Sequence, residues 1–161
     1  MSQVPTILCA LLDHLDSVYH GKAWHGPTLR GSLRGIPAQE AGKPLIQSGH
    51  SIADIALHCA YWKYSVRRRL LNSKRGTFAW KGSNWFTLPK PLTDELWQKI
   101  LNALDAEHEA LRQAVESFPQ AHLGRIPKGS RYSYIQLIHG IAAHDVFHAG
   151  QVRLLKAKSE S

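Results

Sequence analysis

The chain has 161 residues, 43% hydrophobic and 20% charged, with a formal net charge of +8 and a pI near 9.7. That size and composition fit one globular domain over residues 1–161 with a sizeable core, and they exclude a disordered or low-complexity chain. No apolar run reaches the ~18 residues of a transmembrane helix, and two cysteines, Cys9 and Cys59, are too few for a disulfide framework.

The first predicted helix covers roughly residues 4–20, with Leu8, Leu11, Leu12, Leu15 and Val18 at helical spacing. Its start lacks a basic segment and carries aspartates early, so it does not read as a signal peptide. Both cysteines lie in apolar helical surroundings and read as buried thiols of a protein in a reducing cytoplasm. A long connection rich in Gly and Pro follows. The second helix starts at Ser51, where Ser51-Ile-Ala-Asp54 forms a capping box with aspartate in the usual Glu/Gln place, and runs to about Leu71. Arg67, Arg68 and Arg69 close it, followed by Lys74 and Arg75; cations there complement the helix dipole. The basic charge suits an anionic partner, but no zinc-finger, homeodomain or RNA-binding signature is present, so nucleic acid is not the expected partner.

A second long connection holds Trp80, Trp85, Phe86, Pro89 and Pro91. The third helix starts near Thr93, with Asp94 and Glu95 in its first turn, and stops before Pro119. The fourth runs from about Ser133 to Lys156. No strand-like alternation stands out. The expected fold is all-α, a four-helix bundle with long crossover loops that cover a site.

Chemistry concentrates in the fourth helix. His144 and His148 have i, i+4 spacing, which puts both imidazoles on one face. At about 100° per residue, Leu137, Ile141, Gln151 and Leu155 share that face, so the histidines sit in the stripe expected to be buried. Buried imidazoles need a partner, and a transition metal supplies a common one. His58, in the second helix at the edge of the stripe of Ile55, Cys59, Trp62 and Val66, is the strongest third ligand; a core histidine bonded to a carbonyl is the alternative. His139 faces away, and His108 and His122 read as solvated.

His25 and His50 belong to the long first connection and are candidates for a pocket wall, with Trp24, Trp62, Trp80 and Trp85; ordinary packing at helix ends is the alternative. Gln151 lies one turn beyond His148 and either orients a ligand or bonds a neighbouring helix. His144-Asp145-Val146-Phe147-His148 departs from H-E-x-x-H by its shorter carboxylate, which excludes a zincin-type protease reading. Asp145 is expected to pair with a basic neighbour or to support a ligand. No phosphate loop, dinucleotide fingerprint or nucleophile elbow occurs.

Three stretches carry a resemblance: AWHGPTLR at 23–30, GHSIADIALHCAYWK at 49–63 and LIHGIAAHDVFHAGQVRLLK at 137–156. In this order the chain resembles the DinB superfamily, whose motif is a histidine in helix two followed by His-x-x-x-His in helix four. The resemblance places His58, His144 and His148 at those positions, with Ala149, Gly150 and Gln151 trailing as in the family. It implies an up-down-down-up bundle holding a divalent metal, commonly nickel, zinc or iron, and a possible homodimer. Some relatives activate a low-molecular-weight thiol for transfer to an electrophile, and others have been called metal-dependent hydrolases. A non-enzymatic metal-binding stress or nucleic-acid-associated protein is the third reading. Three neutral ligands leave a position open, which is the catalytic pattern rather than the closed structural one.

Overall fold

Every long helix begins at a hydroxyl side chain that replaces a missing backbone partner. In the structure, a computed structural model that describes residues 6–44 and 49–159, helix α1 spans Ile7–Tyr19 and the Thr6 hydroxyl oxygen accepts from the Cys9 N–H at 3.3 Å. The first connection is not a plain loop. It holds two single-turn helices, α2 (Leu29–Ser32) and α3 (Ala38–Ala41), whose Leu29, Ala38 and Ala41 are buried together with Leu33 and Ile36. Helices this short are unstable alone, so burial against the rest of the chain orders them. The Trp97 indole N–H donates to the Ile36 carbonyl at 2.8 Å and ties this segment down.

Helix α4 spans Ile52–Leu70 behind the expected capping box: the Ser51 hydroxyl accepts from the Asp54 N–H at 3.1 Å, and the Asp54 carboxylate accepts from the Ser51 N–H at 2.7 Å. Helix α5 spans Asp94–Glu116 behind Thr93, and α6 spans Tyr134–Ser159. Ser133 and Gln136 form a reciprocal cap at the start of α6, the Gln136 side chain accepting from the Ser133 N–H at 2.9 Å. Caps of this kind contribute about 1 kcal/mol each.

Each long helix packs against two others: α1 against α5 and α6, and α4 against the same two. One core cluster gathers the first half of α4, the first half of α5 and Ala149 and Val152 of α6. The other gathers Leu11, Leu15 and Val18 of α1 with Val66, Leu111, Val115 and Ile138. Among the described residues there is no strand, only two isolated bridges, and no helix is long and apolar enough to cross a membrane.

Two sequence expectations are corrected. Cys9 is exposed, because it lies about 160° round α1 from the buried Leu11; Cys59 alone is buried. His108 is buried rather than solvated, because it falls between Leu104 and Leu111 on the inward stripe of α5. His122 is half-buried, and His139 is exposed as expected.

Candidate metal centre

Helices α4 and α6 bring three imidazoles to one point. His144 Nε2 lies 3.0 Å from His58 Nε2 and 3.1 Å from His148 Nε2. His58 and His148 are buried, and His144 is partly so. The protons on the outer nitrogens can be assigned. His58 Nδ1 is 2.9 Å from the Asn84 carbonyl, and His148 Nδ1 is 2.7 Å from the Gln151 side-chain oxygen. Those oxygens accept, so each Nδ1 carries the proton and each Nε2 presents a lone pair. Burial first, then neighbouring imidazoles, pushes His58 down to about 4 and His144 to about 3; burial also lowers His148. All three rings are therefore neutral at pH 7.

Lone pairs converging with too few protons to share describe a cation's site, and the spacing fits one. With metal–nitrogen bonds of about 2.05 Å, neighbouring nitrogens sit about 2.9 Å apart in octahedral and about 3.3 Å apart in tetrahedral coordination. The observed separations lie between these limits. The three histidines could therefore hold a metal ion. His144 Nδ1 is buried and has no hydrogen-bond partner.

The second connection, not only the bundle, builds the wall. Trp85 stacks on the His58 ring at 3.9 Å and 11°, and His50 stacks on Trp85 at 3.7 Å and 10°. The Trp62 indole N–H donates to the Asn84 side-chain oxygen at 3.0 Å, and its ring is 6.3 Å from that of His58. Asn84 has φ of +62°, a left-handed conformation that asparagine adopts more readily than most residues. Trp24 and His25 are not brought to the cluster: both are exposed, with Trp24 at 97%. Trp80 lines a separate cavity.

A second polar cluster lies one turn away on the same helices. Lys63 and Asp145 are wholly buried and hydrogen-bonded to each other. Burial raises the Asp145 carboxyl above its ordinary value against the opposing effect of Lys63. Lys63 also donates to His108 Nδ1 at 3.3 Å, and His108 Nε2 donates to Asp16, which Arg112 holds at 2.8 Å. Burial first, then Lys63, pushes His108 down to about 3, and its ring stacks on Tyr19 at 3.8 Å. Asp145 thus pairs with a basic residue, as expected. Two further groups bring potential ligand atoms within 4.8 Å, Cys59 with His144 and Asp145, and Asp16 with His20 and His108. Their carboxylates already have Lys63 and Arg112, and burial raises the Cys59 thiol, so neither suits a cation as well.

Sequence reasoning missed Lys63 and Asn84. Lys63 had a signal: it lies four residues after Cys59 and three before Val66, inside the buried stripe. Asn84 had none.

A model of the DinB superfamily matches residues 23–152, and the chain belongs to that superfamily. No curated protein and no solved structure matches it.

Proposed function

We propose that this member of the superfamily is a metal-dependent enzyme that activates a low-molecular-weight thiol for transfer to an electrophile. His58, His144 and His148 hold the divalent transition metal, nickel, zinc or iron. The observation that carries this reading is the convergence of three Nε2 atoms, two of which present lone pairs fixed by Nδ1–H donation to Asn84 and Gln151. When bound, such an ion acts as a Lewis acid that lets a thiol or water lose its proton near neutral pH.

The chain's own residues supply orientation and exclusion. Asn84 and Gln151 keep the lone pairs of His58 and His148 pointing inward, and neutral ligands leave the ion's charge available to an anionic group. Trp85 and Trp62 close one side of the His58 ring against water. The basic balance of the chain, +8, favours a carboxylate-bearing thiol over a neutral one. The contacts and core clusters support the accompanying fold reading, a four-helix up-down-down-up bundle: the first halves of α4 and α5 meet the last part of α6. Exposed Phe147 and Leu154 on one face of α6 support a homodimer, and a cysteine count of two, too few for a disulfide framework, fits a cytoplasmic protein.

The test compares metal-loaded, metal-free and His58→Ala protein with a thiol panel and monochlorobimane as electrophile. A rate that needs both metal and His58 is expected. Equal rates in all three preparations would refute the transferase reading.

A further inference from the structure

The end of α4 and the connection after it enclose a cavity of about 650 Å³ that the metal centre does not use. Trp62, Phe78 and Trp80 supply ring surface, and Arg68, Arg69, Arg75 and Lys81 supply charge. None of the three guanidinium groups forms an ion pair among the described residues. Arg68 donates to the Ser73 carbonyl at 3.1 Å and Arg69 to the Ser65 carbonyl at 3.0 Å. Burial, then repulsion from Arg68 and Arg75, makes the charged form of Arg69 harder to hold. Three guanidinium groups and the Lys81 ammonium therefore face one cavity without a carboxylate between them.

Complementing the helix dipole accounts for Arg68 and Arg69 but not for Arg75, which lies past the end of α4. The segment that carries Arg75 is pinned, not loose. The Tyr64 hydroxyl oxygen accepts from the backbone N–H groups of Gly76 at 3.1 Å and Thr77 at 3.2 Å. Gly76 has φ of +98°, a turn that a side chain would strain.

Ligand cavities of small molecules run from about 300 to about 1,000 Å³. Guanidinium forks match phosphate oxygens two at a time, and aromatic faces take flat rings. We propose that this cavity binds small phosphate-bearing molecules with a flat ring, up to mononucleotide size. It shares the Trp62 wall with the histidine cluster, so a bound molecule sits beside that centre. The site needs no metal and stands independently of the thiol reaction.

Calorimetric titration of the full chain with AMP, phenyl phosphate, adenosine and inorganic phosphate tests it. AMP or phenyl phosphate should bind at least about tenfold more tightly than inorganic phosphate, because ring and charge are both engaged. Arg75→Glu, at an exposed position, should weaken AMP binding about tenfold or more and leave the circular dichroism spectrum unchanged. Arg75→Lys should recover part of the loss. Ring-bearing phosphates no tighter than inorganic phosphate would overturn the proposal. So would unchanged AMP affinity in both Arg75→Glu and Arg68→Ala. A single-stranded oligonucleotide that binds far more tightly than AMP at the same salt would also overturn it, by making this a nucleic-acid surface.

Discussion

The histidine cluster and the Lys63 network are both buried, both polar, and both built across α4 and α6, yet they meet the cost of burial in opposite ways. The network pairs its charges and leaves one buried atom, Asp145 Oδ1, without a partner. Lys63 faces Asp145, His108 bridges Lys63 to Asp16, and Arg112 balances Asp16. The cluster has no charges to pair: three neutral rings aim their Nε2 atoms at one another, and the Nδ1 atom of His144 has no partner. Each cluster thus holds one buried unpartnered atom, and charge separates them: the network carries its own counter-ions, whereas the uncharged histidines turn ring nitrogens toward one another with too few protons to share. By that criterion the cluster is the ligand site and the network the structural one.

The largest effect should come from breaking the network. Lys63→Met leaves Asp145 buried with no counter-charge, and urea unfolding should show a loss of about 3–5 kcal/mol. Adding Asp145→Leu should restore much of it, because the pair is then replaced by packing. Breaking the cluster should cost less in the metal-free protein, since each lost imidazole is neutral.

The next effect concerns the metal. A ligand bound only by the folded state, at about 100 times its Kd, adds about 2.7 kcal/mol, so a chelator should lower the melting temperature of the metal-loaded protein. His148→Ala protein should show no such response. Acid should act in the same direction. His58 and His144 stay neutral in the folded chain down to about 4 and about 3, while the unfolded chain takes up protons near the ordinary 6.5. The unfolded state therefore binds more protons below 6.5. Their contribution is fully present above that pH and is lost as pH falls toward 4 and then 3. Urea midpoints measured from pH 7 downward should fall more steeply in wild type than in His144→Leu protein.

The smallest effect should come from Gln151→Ala. It frees the Nδ1 of His148, so the ring no longer has a fixed tautomer. Metal affinity, measured by competition with a chromophoric chelator, should drop about tenfold, with little change in the stability of the metal-free protein. A drop no larger than that of an exposed control such as His25→Ala would remove Gln151 from the site.

Much of this was legible in the chain because helices convert spacing into direction. His144, His148 and Gln151 share a face by arithmetic alone, and the Ser51 and Thr93 caps fix where α4 and α5 begin. The same arithmetic, applied to His108, would have placed it inside, between Leu104 and Leu111. Asking which connections matter was less productive. The first connection folds into α2 and α3, and its Trp24 and His25 point to solvent, whereas the second supplies Trp85 and Asn84 to His58.

The sequence by itself determined the four long helices, most of their inward positions and the histidine triad as candidates, since periodicity and capping are local properties carried by residues within one or two turns. Only the tertiary structure decided what each buried polar group meets. That His58 bonds the Asn84 carbonyl and that Lys63 pairs with Asp145 depend on residues well apart in the chain, and that three arginines line one cavity depends on the path of the connection after α4. Such contacts leave no period in the sequence, because packing between helices and the path of a connection set them, not the turn of any one helix.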